Sequence, residues 1–140
     1  MMQLALACAF LHENHTLHRD IKPMNIMLTE GGEILKLCDF GLALDMNESN
    51  GEDINDEAGT PYYTAPEMIE RQNYSYPTDC WSCGVLLHQL LALERPFQGH
   101  STAELVKSIL IEEPPPLPQH YTDDIKYVFI FFFLILFSSI

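Results

Sequence analysis

The chain has 140 residues, 47% of them apolar, which is enough for one domain with a buried core and too apolar for a disordered polypeptide. Seven Lys and Arg against twenty Asp and Glu give a net charge of -13, which excludes nucleic acid held through a basic face, because phosphates would be repelled. Four Cys make no disulfide scaffold, and Met1-Met2-Gln3-Leu4 carries no signal-peptide pattern, so a reducing, cytoplasmic location is expected.

Residues 2–14 predict a helix, since Leu4, Ala7, Cys8 and Leu11 recur at helical spacing without Gly or Pro. A polar loop, His15 to Asn25, leads to the apolar Ile26-Met27-Leu28. Glu30-Gly31-Gly32-Glu33 is a turn signal, and Ile34 to Leu37 reads as a second strand, so 26–37 predicts a hairpin. From Asp39 to Glu70 there are nine acidic residues and no Lys, Arg or His, and residues 46–57 predict a mobile loop. Asp79 to Leu91 is apolar nearly all round and predicts a central buried helix. Ser101-Thr102-Ala103-Glu104 is a capping box that opens a helix to about Ile111, closed off by Pro114-Pro115-Pro116.

Tyr127 to Phe137 is a run of eleven apolar residues, shorter than the roughly 20 needed to span a bilayer. It is expected to be β-prone and self-associating, with a membrane anchor over 127–140 as the secondary reading.

The residues that can carry chemistry are His18-Arg19-Asp20-Ile21-Lys22-Pro23-Met24-Asn25, Asp39-Phe40-Gly41 and Ala65-Pro66-Glu67. Phosphoryl transfer needs a carboxylate to accept a hydroxyl proton, oxygen ligands for Mg²⁺ and a cation near the transferring phosphate. Asp20 can be the base, Lys22 the cation, and Asn25 and Asp39 the metal ligands, if the hairpin returns Asp39 beside the loop.

These motifs resemble the catalytic loop, metal-binding triplet and activation-segment end of eukaryotic protein kinases. With Gly59-Thr60-Pro61-Tyr62-Tyr63, they are most similar to the NIMA-related (NEK) serine/threonine kinases. The resemblance covers residues 2–127 and implies a mainly α fold. That fold is the C-terminal lobe of a kinase domain with short hairpin strands, followed by an apolar tail at 128–140.

It also implies transfer of the γ-phosphoryl group of ATP, with Mg²⁺, to Ser or Thr of a protein substrate. By resemblance Asp20 is the catalytic base, Lys22 the phosphate-facing cation, and Asn25 and Asp39 the Mg²⁺ ligands. Met27 and Cys38 line the adenine pocket, and His18, Phe40 and Gly41 have packing roles. Arg19 faces a phosphorylated activation segment, where Asp56 could stand in for phosphate. Thr60 bridges to the catalytic loop, and Asp79 fixes that loop's backbone.

The family's Gly-rich loop, strand lysine and late helices are not found in this sequence, so the domain is read as incomplete and inactive alone. The arginine expected opposite Glu67 is also missing, since Lys126 is the only Lys or Arg after Leu117. Glu67 is therefore expected to be a buried, unpaired carboxylate. Two other readings compete: a non-catalytic interaction module, and a non-functional truncated product. Cys80 and Cys83 form a C-x-x-C without a second ligand pair and read as core packing, and His12, His15 and His18, whose spacing crosses from helix into loop, are not read as a metal site.

Overall fold

Helix α1 (Met2–Glu13) opens the chain, as its apolar spacing requires. The computed structural model describes residues 1–47, 61–72 and 75–137. The loop that follows α1 carries a two-residue strand β1 (Thr16–Leu17), which pairs antiparallel with β4 (Leu44–Asp45). Between them lies the expected hairpin, β2 (Ile26–Leu28) against β3 (Leu35–Leu37), with Ile26 opposite Leu37 and Leu28 opposite Leu35. Its turn uses Gly31 at φ 85° and Gly32 at φ 72°, left-handed conformations that a Cβ would strain. The mobile loop expected at 46–57 falls almost wholly outside the described residues.

Ala65-Pro66-Glu67 starts the one-turn helix α2 (Pro66–Ile69), with Pro at a first-turn position where its missing N–H costs nothing. Helix α3 (Pro77–Ala92) also begins with Pro and is buried on nearly every side, as its composition predicts. Helix α4 (Thr102–Ile111) follows its cap: Ser101 Oγ accepts from the Glu104 N–H at 3.2 Å. The Glu104 carboxylate reaches back to the His100 N–H at 2.8 Å, one residue earlier than the sequence pattern implies.

Helix α5 (Asp123–Phe137) corrects the reading of the tail. The run expected to be strand-prone and without anything to pack on is helical and lies along α3, with Phe129 and Phe133 each 3% exposed. The reason sits in α3. Gly84 has no side chain, and a Cβ there would lie 2.9 Å from Phe133 Cε2 and 3.0 Å from Phe132 Cβ. The helices close together only because that side chain is missing. At 15 residues α5 is about 22 Å long, and among the described residues no helix is long and apolar enough to cross a membrane.

The core has two parts, and α3 belongs to both. One gathers Trp81, Val85 and Leu87 with Phe97, Leu105, Ile109, Phe129 and Phe133. Trp81 stacks on Phe97 at 5.4 Å between centroids and meets Phe133 edge-on at 4.9 Å, the two favoured aromatic geometries. The other joins Cys83 and Leu86 to Leu4 and Cys8 of α1 and to Ile21. The Cys8 and Cys83 sulfurs lie 3.8 Å apart.

Candidate active site

Arg19 has φ 66°, a conformation that non-glycine residues adopt at a cost. What holds it there is Asp79, 0% exposed in the first turn of α3. Its Oδ2 accepts from the His18 N–H and its Oδ1 from the Arg19 N–H, both at 2.9 Å. His12 Nε2 donates to Oδ2 at 2.9 Å. A carboxylate that accepts three such bonds is compensated for burial. The loop is therefore fastened to the most buried helix of the molecule.

The His18 ring, also fully buried, spans the site. Its Nε2–H donates to the Cys38 carbonyl at 3.2 Å, and its Nδ1 accepts from the Asp20 N–H at 3.3 Å, which fixes one tautomer. The ring packs on Phe40 at 5.0 Å. The loop after β1 and the end of the hairpin are thereby tied to one imidazole. A second tie is the Cys38 N–H to the Asn25 carbonyl at 2.8 Å.

Around Asp20 the polar groups converge. Lys22 Nζ lies 2.7 Å from Asp20 Oδ2, and Asn25 donates through Nδ2 to the same oxygen and to the Asp20 carbonyl, both at 2.8 Å. Asn25 is buried, while Asp20 and Lys22 are half-buried. Asp39 is exposed, has φ 64°, and its Oδ1 accepts from the Gly41 N–H at 3.2 Å. Met27 is exposed on β2 opposite Lys36, and Cys38 is half-buried just past β3. Arg19 donates through Nε to the Leu42 carbonyl. Asp56 and Thr60 lie outside the described residues.

Glu67 requires a correction. It is half-buried rather than buried, and its Oε1 accepts from the Thr78 hydroxyl at 2.8 Å. Thr78, wholly buried at the start of α3, supplies the hydrogen bond that the sequence reading looked for in a distant arginine. The three histidines go to different partners: His12 to Asp79, His15 to Tyr76 at 3.5 Å, and His18 to Cys38.

Sequence reasoning missed the wall opposite Asp20. A cleft of about 500 Å³ runs from Asp20 and Lys22 to Tyr62, Tyr63, Gln89 and Arg95. Tyr63 donates its hydroxyl to Gln89 Oε1, and Ser82 Oγ donates to the Tyr63 carbonyl at 2.7 Å, so this wall is pinned to α3. Arg95 lies over the Tyr62 ring at 3.8 Å. The available signal was composition: Arg95 is one of only seven Lys and Arg in the chain.

The structure brings Asp20, Lys22 and Asn25 together, and the Cys38–Asn25 bond brings the residue before Asp39 to the same loop. The sequence pattern described as "Protein kinase domain" matches residues 1–126, and the chain belongs to that family. The Mus musculus serine/threonine-protein kinase Nek5 is 38% identical over 125 residues, covering 89% of this chain and 20% of that protein. Serine/threonine-protein kinase nekl-2 of Caenorhabditis elegans is 35% identical over 124 residues, 89% of this chain and 34% of its own length. Serine/threonine-protein kinase TIO of Arabidopsis thaliana is 40% identical over 116 residues, 83% of this chain and 8% of its own. The chain thus spans between 8% and 34% of the length of these relatives. The serine/threonine-kinase character read from the motifs agrees with their names. Protein kinases as a family use ATP and Mg²⁺ and act on proteins.

Proposed function

We propose that this chain is the C-terminal, catalytic-loop-bearing lobe of a NEK-like serine/threonine protein kinase. It takes part in moving the γ-phosphoryl group of ATP to a protein Ser or Thr. The observation that carries the reading is the Asp20 carboxylate, gripped by Lys22 at 2.7 Å and by Asn25 at 2.8 Å at the mouth of a cleft. A base must be aimed at the hydroxyl it serves, and two donors on one oxygen orient the carboxylate while leaving Oδ1 for a substrate hydroxyl. Lys22 keeps a positive charge where the transferred group would carry negative charge.

The donor set suits Mg²⁺, a hard cation that binds oxygen. Asn25 spends its amide nitrogen on Asp20, so its Oδ1 remains as an oxygen donor. Asp39 offers an exposed carboxylate with one oxygen oriented by Gly41. Bound there, the ion would neutralise phosphate charge. Met27, exposed on β2, and Cys38 are the apolar groups for the adenine ring. Arg19 and Thr60 would answer to the state of the activation segment, with Asp56 as an acidic substitute for phosphate.

The test is phosphoryl transfer from labelled ATP with Mg²⁺ to a mixed Ser/Thr acceptor protein. It compares the chain alone with the chain joined behind the N-terminal lobe of a Nek relative. Transfer by the joined form that is abolished by Asp20→Asn, with nucleotide binding retained, supports the reading. A joined form that binds nucleotide and transfers nothing, or transfers equally well as Asp20→Asn, overturns it.

A further inference from the structure

The cleft beside Asp20 has a charge opposite to that of the molecule. The chain carries 20 acidic residues against seven Lys and Arg, yet three of those seven, Arg19, Lys22 and Arg95, line this one cavity. Among the described residues Asp20 is the only carboxylate in its wall, and Lys22 already pairs with it. Gln89, which faces the same space, is neutral and holds the Tyr63 hydroxyl. Among the described residues a basic side chain entering here meets no carboxylate but the paired Asp20, whereas an acidic one meets Arg95 in a concave site that strengthens its field.

Arg95 is the group placed to read it. Its neighbour Phe97 is 1% exposed and stacked on Trp81, so the backbone that carries Arg95 is anchored in the core. Its guanidinium lies over the Tyr62 ring, 3.8 Å from the centroid. Its Nε is buried without a hydrogen-bond partner, and among the described residues no carboxylate comes within ion-pairing distance of it. Arg95 and Tyr62 also border a second cavity of about 330 Å³ whose wall includes Glu94, so the two form the ridge between the cavities. A planar, stacked guanidinium with unspent donors is suited to bidentate binding of a carboxylate.

We infer that the cleft selects an acidic peptide, with Arg95 as the residue that receives an Asp or Glu close to the Ser or Thr in contact with Asp20. The inference rests on the kinase reading in calling that peptide a substrate, but the preference itself is a property of binding.

The experiment measures binding to the 140-residue chain by fluorescence anisotropy, using three labelled peptides that differ only in the residues flanking one Ser: Glu, Ala or Lys. The Glu peptide is expected to bind about tenfold more tightly than the Ala peptide, roughly what one well-placed charge pair supplies. The preference should shrink with added salt. Arg95→Ala should bring the Glu and Ala peptides level, and Arg95→Lys should retain part of the difference.

Equal binding of all three peptides, tighter binding of the Lys peptide, or no binding of any, each overturns the inference on the unaltered chain, whether or not a variant folds. A Glu preference that survives in a folded Arg95→Ala overturns the assignment to Arg95. The transfer assay described above is read separately. Acidic preference without transfer leaves this inference standing and removes the kinase reading, and transfer without acidic preference does the reverse.

Discussion

Asp79 and Cys80 are adjacent in the first turns of α3, and the same environment acts on them in opposite ways. Asp79 is wholly buried, but two backbone N–H groups and His12 donate to it. Replacing it by Ala strands those donors and releases the left-handed Arg19. The expected cost is about 3–5 kcal/mol, the range for breaking a buried charge network, read as a fall in the urea midpoint with m unchanged. Asp79→Asn keeps the shape and should cost less.

Cys80 has no such donors. Burial first, then nearby Cys8 and Asp79, push its thiol from 9.0 up to about 11. The folded state thus binds this proton more tightly than the unfolded state. That contribution to stability is complete below pH 9 and is lost as the pH rises towards 11. Alkylation of Cys80 in the folded chain is expected to accelerate only as pH approaches 11, about two units later than in a denatured control, with mass spectrometry reporting the site. A midpoint near 9 would show a thiol in water.

Among the elements, the α3–α5 contact depends on the absence of a single carbon. In a solvated helix, Gly→Ala stabilises by about 1 kcal/mol through propensity. At position 84 the added methyl would meet Phe133 and Phe132 at about 3 Å, so Gly84→Ala should instead destabilise, by about 1–3 kcal/mol for overpacking. Thermal melts of the full chain and of a form ending at residue 122 should show opposite signs for the same substitution. The same contact changes what truncation does. Removing residues 128–140 takes Phe129 and Phe133 out of the core and uncovers Trp81, so the shortened chain is expected to melt at a lower temperature and bind more apolar dye than the full one.

Legibility followed the strength of the local signals. The hairpin was readable because two glycines at a turn have few other uses, and α4 because a capping box has a direction. The β1–β4 pair was not, since two residues a side leave no alternation to count. Nor was α5, because eleven apolar residues in a row carry no period, and whether they form helix or strand is decided by what they meet, here the bare flank of Gly84. In the site, Asp20, Asn25 and Asp39 lie within one readable stretch, whereas Arg95 reaches the cleft beside Asp20 from a backbone anchored by the packing of Phe97 on Trp81.

For the molecule as a whole, the fastening of His18 and Arg19 to an aspartate 61 and 60 positions further along the chain has a thermodynamic consequence. The backbone of His18 and Arg19 is held by a residue of α3, so the loop is expected to unfold together with that helix. Trp81, one turn or less from Asp79, reports on the core by fluorescence, while peptide anisotropy reports on the cleft. If the loop were a separately stable unit, the two signals would part company in dilute denaturant. Linked through Asp79, they should trace a single transition with one midpoint, so a destabilising substitution far away in the core would reduce the cleft's occupancy in proportion to the unfolded fraction and leave the affinity of the remaining folded molecules unchanged.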